Sequence, residues 1–491
     1  MNPTTHNTPN DALDAYVDGQ MQHLNIPGAS LAVVEGDTIT YHRGYGLARP
    51  GGETSGPQTP FFIGSLTKSF TALAVMQLVE RGLVELDAPV QRYLPWFRVA
   101  DPEASAAMTV HHLLNQTSGL PTMAGELILA EDDSPDALER GVRGLATLKV
   151  TRPPGSTFQY CNLNYNILGL IVEVTTGESY ADYVKHYILE PLGMSHTYTS
   201  KAVAQGDGLA LGHRQWFSNP VPAPDLPIPG GSLPSGQLIS CAEDMAHYLI
   251  AHLNGGRYGD ARILSGAGID EMHRGAVDWL VGDTSMGRYG MGWVECDMDH
   301  TKTFSHAGNV PDFVAFMAIV PEQQRGLVLL FNSGTYGLPP LTEEVGTGAT
   351  AVLAGVQPPP PKLGFVPTVF RLLPLLPLLQ VVTAIATVGT LRRWSRDGAH
   401  RPAGARPWAR HVLLPLIPNL SLAGGLAYLK SSGMLAFLRL FMPDLAWILG
   451  MSGVFAAIWA VLRTGLILRT LTKTPAPGAE KGDACQCRCR R

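Results

Sequence analysis

The chain predicts an α+β fold: an antiparallel sheet flanked by helices, with an additional helical region, followed by three transmembrane α-helices. Three observations predict it. A short apolar hairpin stands near the start and strand-like segments return near residue 330, so the first and last parts of the domain supply the sheet. Apolar helical segments fill the middle. Beyond residue 370 come three stretches of 18 to 20 residues without a charge.

Residues 12–24 carry Leu13, Tyr16, Val17, Met21 and Leu24 at helical spacing, which predicts an amphipathic helix. Residues 29–34, a Glu35-Gly36-Asp37 turn and residues 38–41 predict the hairpin. Residues 65–81 predict an apolar helix stopped by Gly82, and residues 166–175 another, capped by Gly177. Strands are expected at residues 317–320 and 326–331. The composition breaks at Gln357-Pro358-Pro359-Pro360-Pro361, a run that favours a stiff spacer. The uncharged stretches then follow at 372–391, 412–429 and 445–462, each long enough for a hydrocarbon core of about 30 Å. The expected organisation is a large N-terminal domain over 1–356, a proline-rich linker over 357–368, a three-helix transmembrane region over 369–470 and a basic Cys-containing tail over 471–491.

Charge divides the 491 residues unevenly. Residues 357–491 hold 17 Lys and Arg against 4 Asp and Glu, leaving 19 against 37 in the first 356. An acidic domain repels phosphate backbones, and no basic stripe with interleaved aromatics is present, so nucleic acid is not an expected partner. Cys161, Cys241 and Cys296 are widely spaced and read as buried thiols. Cys485, Cys487 and Cys489 lie in the basic tail, where metal binding, lipidation or no role at all stay open.

The segment Gly64-Ser65-Leu66-Thr67-Lys68 holds the only S-x-x-K among nine lysines. On a helix, positions i and i+3 share a face, so the Ser65 hydroxyl and the Lys68 amine can meet. A serine hydroxyl is a weak nucleophile until a neighbour takes its proton, and a lysine buried among apolar groups can do so as a neutral amine. Tyr160-Cys161-Asn162 is the only Y-x-N among fifteen tyrosines. A phenol beside an ammonium can relay a proton, and an asparagine amide can accept from the lysine and donate to a substrate carbonyl. His306-Ala307-Gly308 is a further candidate, although H-x-G recurs at His42 and His273. Neither G-x-S-x-G nor H-E-x-x-H nor a paired C-x-x-C occurs, and no P-loop or dinucleotide fingerprint does, so no metal and no cofactor is expected.

Taken in order, these segments resemble the serine β-lactamase-related family of class C β-lactamases, penicillin-binding proteins, D-amino-acid peptidases and carboxylesterases, over residues 12–335. Leu86-Asp87-Ala88-Pro89-Val90, His112-Leu113-Leu114-Asn115-Gln116-Thr117-Ser118-Gly119, Leu189-Glu190-Pro191-Leu192-Gly193-Met194, Pro234-Ser235-Gly236 and Tyr289-Gly290-Met291-Gly292-Trp293 resemble family segments as well. The resemblance implies a β-lactamase/transpeptidase-like fold in which Ser65 attacks a carbonyl, Lys68 and Tyr160 handle protons and Asn162 positions substrate. It selects His306-Ala307-Gly308 as the third motif, beside the serine, with Gly308 admitting the substrate backbone and the amides of Ser65 and Asn309 forming an oxyanion hole. The best-known relatives carry K-T-G there, so His306 implies poor β-lactam hydrolysis. Amide and ester substrates both stay open, as does a catalytically silent module that binds cell-wall peptides. Three C-terminal spans also resemble the anchors of membrane-bound peptidases that remove D-amino-acid caps from peptide precursors.

The expected partners are a small peptide, amide or ester and the bilayer. Six arginines between the first two spans, with Asp397 alone opposing them, predict a cytoplasmic loop and an extracytoplasmic catalytic domain. The first 24 residues hold no apolar run of the kind a secretory signal has.

Overall fold

A computed structural model describes residues 9–126, 134–223, 230–334, 341–360, 365–396 and 409–472. The Cys485, Cys487 and Cys489 tail and the arginines of 397–408 fall outside these residues. By contacts the chain divides into two compact units, residues 1–371 with 436–444, and residues 372–435 with 445–491.

The first unit is built on a nine-stranded antiparallel sheet. Helix α1 (Pro9–Leu24) leads into β1 (Gly28–Glu35) and β2 (Thr38–Arg49), with the short β3 (Glu53–Thr54) at one edge. After the helical region come β4 (Val277–Val281), β5 (Thr284–Tyr289), β6 (Val294–Met298), β7 (Thr301–Val310), β8 (Phe313–Val320) and β9 (Arg325–Phe331). Their order is β4-β5-β6-β7-β8-β9-β1-β2-β3. Strand β1 sits between β2 and β9, with Ala29 opposite Phe331 and Glu35 opposite Arg325. It is covered on both faces, which is why Ala29 to Val34 reads as a continuous buried run rather than an alternating one.

The two-residue period then sorts those side chains between two cores. Leu31 and Val33, with Leu327, Leu329, Val314 and Phe316, pack under Leu13, Val17 and Met21 of α1 and Val345, Ala349 and Leu353 of α5 (Leu341–Ala354). Ala32 and Val34, with Val328, Leu330, Ala315 and Met317, face the larger core. That core holds α2 (Thr67–Glu80), α3 (Asn162–Thr176) and α4 (Ala242–Leu253). Helix α3 begins four residues earlier than the apolar pattern indicates and ends at Gly177, whose φ of 77° makes it the left-handed cap.

The second unit is helical. Helix α6 (Val366–Leu372), which starts inside the stretch read from sequence as linker, belongs up to Arg371 to the first unit; α7 (Leu375–Arg396), α8 (Leu414–Ser431) and, from Leu445 on, α9 (Pro443–Thr472) make up the second. Gln380 donates to the Ser452 carbonyl at 3.0 Å, and farther along Leu391 and Trp394 pack on Ile467, so α7 and α9 run parallel. Leu416 packs against that same cluster, while Leu426 lies against Gly453, so α8 runs antiparallel to α9. Among the described residues two helices are long and apolar enough to cross a membrane, Val366–Trp394 and Pro443–Thr470. Of the three expected segments these match the first and the last; α8 is helical, but Pro415, Pro418, Asn419 and Lys430 dilute its apolar character.

Candidate active site

The turn that carries Ser65 is shaped by its glycine. Gly64 has φ of 52° and opens a 3-10 turn, Gly64–Leu66, that runs straight into α2. Thr67 Oγ1 donates to the Gly64 carbonyl at 2.7 Å, tying the turn to the first residue of the helix. Strand β7 lies directly against it. A Cβ on Gly64 would fall 2.5 Å from the Asn309 nitrogen, and one on Gly308 would fall 2.0 Å from the Ile63 oxygen and 3.0 Å from the Ser65 nitrogen. The two glycines let two backbones touch, and the amides of Ser65 and Asn309 lie at this contact. The close approach at Gly308 is therefore that of the Ile63–Ser65 backbone; sequence reasoning had reserved it for a substrate.

Lys68 is fully buried, whereas Ser65 is partly exposed and reachable. The Lys68 amine stands 2.9 Å from Ser65 Oγ, 2.6 Å from Asn162 Oδ1 and 2.6 Å from the Ser235 carbonyl. It also lies 4.8 Å from the Tyr160 ring centre and 5.7 Å from that of Tyr165. S-x-x-K and Y-x-N thus meet at one amine. The Pro234-Ser235-Gly236 segment joins them, since Ser235 supplies a carbonyl to Lys68 and Pro234 one to Thr71 at 2.6 Å.

Gln116, which the sequence marks only as a member of the family-like segment 112–119, fixes the backbone on both sides of Tyr160. Its carbonyl accepts from Gln159 N at 2.8 Å and its side chain from Cys161 N at 2.9 Å. Tyr160 is walled by aromatics: Trp279 stacks near-parallel to it at 6.3 Å, and Tyr289 meets it edge-on at 6.3 Å. Nothing local in the sequence marks Trp279, because β4 reaches the site only through the pairing of β4, β5, β6 and β7.

His306 is buried on β7, and its Nδ1 donates to the Ala307 carbonyl at 2.6 Å. Burial, reinforced by the Lys68 charge, pushes its imidazole down to about 3, so it is neutral. The third motif therefore presents no cation. Asn309 donates from its side-chain nitrogen to Glu343 Oε1 at 2.6 Å, and burial raises that carboxyl to about 7. Glu343 escaped sequence reasoning, for an acid at the start of a helix ordinarily reads as a response to the helix dipole. Among the described residues no group of His, Cys, Asp and Glu could hold a metal ion.

The Beta-lactamase family profile matches residues 13–343, well over half of the chain. The chain belongs to the Beta-lactamase family. Penicillin-binding protein 4 of Amycolatopsis lactamdurans is 33% identical over 339 residues, covering 67% of this chain and 82% of that one. Protein flp of Staphylococcus aureus (strain MW2) is 28% identical over 341 residues, 68% of this chain. That match spans 65% of the relative, just under two thirds of its length. The octameric penicillin-binding protein homologue from Pyrococcus abyssi superimposes with a TM-score of 0.61 at 30% identity, over 72% of this chain and 78% of that one. The fold of this family accounts for the sheet and the helical region together.

Proposed function

We propose that this Beta-lactamase family member is a membrane-anchored serine hydrolase that forms an acyl-enzyme on Ser65 and cleaves amide bonds in D-amino-acid-containing or cell-wall-type peptides. The observation that carries the reading is the surroundings of Lys68. Two of its neighbours, Asn162 Oδ1 and the Ser235 carbonyl, only accept hydrogen bonds. In a neutral amine they take the two N–H groups, which directs the lone pair to Ser65 Oγ. Ser65 then gives its proton to Lys68 as its oxygen bonds to the substrate carbonyl carbon. The resulting oxyanion is met by the amides of Ser65 and Asn309. Tyr160 donates its phenol proton to the leaving nitrogen as the C–N bond breaks and regains one from the Lys68 ammonium, and water later attacks the ester so formed.

The second reading is a carboxylesterase. It is favoured by one observation, the neutral His306, since a site without a cation at this strand has little to hold a substrate carboxylate. Labelling by a serine-reactive phosphonate, followed by D-peptide, L-peptide and p-nitrophenyl ester assays, separates the possibilities. An adduct at Ser65 with turnover of D-peptides supports the first reading, turnover of esters alone supports the second, and no adduct would leave a silent binding module.

For the membrane we propose a hydrolase domain over 1–356, a linker and three crossings. Supporting the third is direction: α7 and α9 run parallel and so cross the same way, and a chain between them must return. Helix α8, antiparallel and in contact with α9, suits that return. The arginines following α7 favour that end as cytoplasmic and the catalytic domain as extracytoplasmic. Protease added to intact cells should digest the domain; complete protection until lysis would reverse the orientation.

A further inference from the structure

The helical unit is uniformly basic. Among its described residues there is no Asp or Glu, yet it carries Arg392, Arg393, Arg396, Arg410, Lys430, Arg463 and Arg469. Most of these are exposed. Arg463 is not: it is 7% exposed, and its Nη1 is buried with no hydrogen-bond partner. A guanidinium cannot shed its proton, so burial leaves a full charge to be compensated. No described carboxylate of this unit is available to compensate it.

Position narrows the compensating anion. Arg463 lies one turn before Ile467, which packs on Leu391 and Trp394. In the parallel α7–α9 pair Arg463 thus lies one turn inside the level of Leu391 and Trp394, next to which α7 carries Arg392 and Arg393 and near which Arg410 precedes Leu416. The buried arginine and the exposed ones gather at one end of the bundle, at a depth where a three-span protein meets lipid headgroups. A planar guanidinium matches a phosphate by two parallel hydrogen bonds, and the neighbouring arginines add attraction to an anionic leaflet.

We propose that Arg463, with the Arg392–Arg393 end of α7, forms a binding site for the phosphate of an anionic phospholipid headgroup. The proposal rests on the membrane reading above. The test uses the full chain in a neutral detergent, titrated with phosphatidylglycerol, phosphatidylcholine or inorganic phosphate, and reads bound lipid by native mass spectrometry together with the thermal midpoint. Phosphatidylglycerol should bind in preference to phosphatidylcholine and raise the midpoint. Arg463→Gln should weaken phosphatidylglycerol by about tenfold or more, the loss of one charge-assisted pair, with phosphonate labelling of Ser65 unchanged. Should Arg463→Gln fail to fold, Arg463→Lys keeps the charge and loses the fork, and an intermediate affinity is expected. Equal phosphatidylglycerol binding by the parent and the variant overturns the proposal. So does a parent without preference for phosphatidylglycerol, or an equal response to inorganic phosphate. Release of the parent from membranes by alkaline carbonate would instead remove the membrane reading beneath it.

Discussion

Substitution of Gly308 by alanine probes the contact on which the site is assembled. The added methyl would lie 2.0 Å from the Ile63 oxygen and 3.0 Å from the Ser65 nitrogen, both main-chain atoms that no rotamer change can move aside. Restoring ordinary van der Waals separation requires strand and turn to part by about 1.3 Å or more. Such a shift displaces the Ser65 amide from the Asn309 amide, and a misplacement of about 1 Å costs roughly 10²-fold in rate, near 2.7 kcal/mol of transition-state stabilisation. The same overpacking should lower stability by about 1–3 kcal/mol. Gly236→Ala is the internal control, since a Cβ there meets nothing closer than 3.6 Å. The assay is kcat/KM for p-nitrophenyl ester hydrolysis beside thermal unfolding. If Gly308→Ala retained kcat/KM within threefold of the parent and an unchanged melting temperature, the two backbones would not be in contact as described.

Three further outcomes are expected. Tyr160→Phe should lower kcat by roughly 10² to 10⁴ with little change in KM, the pattern of a proton relay; a change in KM alone would make Tyr160 a binding residue. Lys68→Ala and Ser65→Ala should be equally damaging singly and together, because the 2.9 Å pair acts as a unit; additive losses in the double variant would break that pairing. Acid should unfold the domain early. His252, His273 and His306 are held neutral by burial, the last two down to about 3. An unfolded chain takes up a proton at each as pH falls through about 6.5, while the folded chain does not, so each costs up to about 1.4 kcal/mol of stability per pH unit below 6.5. Glu343, raised to about 7, acts oppositely between that pH and its unfolded value near 4.5. His273→Gln should therefore flatten the decline between pH 6.5 and 4.5 in thermal unfolding; a slope equal to the parent's would show that His273 is not held neutral.

Much of this arrangement could be read from residue order because chemistry and local pattern coincide there. Ser65 and Lys68 need only one helical turn to meet, and Tyr160-Cys161-Asn162 opens a helix whose apolar spacing is plain. What the sequence hid was assembled across distance. Gln116 reaches the Tyr160 backbone through its φ of 58° and a loop that has no regular period. Trp279 and Glu343 arrive on an edge strand and a late helix, so neither has a local signature. The membrane segments show the converse. Uncharged length alone made α8 equal to its neighbours, whereas its two prolines, Asn419 and Lys430 set it apart, and its antiparallel direction emerged only from packing.

The pairing of Ala29 with Phe331 has a consequence for biosynthesis. At roughly 5–20 residues per second, about 15–60 s separate the synthesis of these two partners. Throughout that interval the β1–β2 hairpin exists without its inner neighbour, its apolar residues bare and one edge open to any other strand. The sheet closes only when the last strands emerge, so the vulnerable species is the incomplete nascent chain, and stalled or truncated products ending before residue 325 are the ones expected to aggregate.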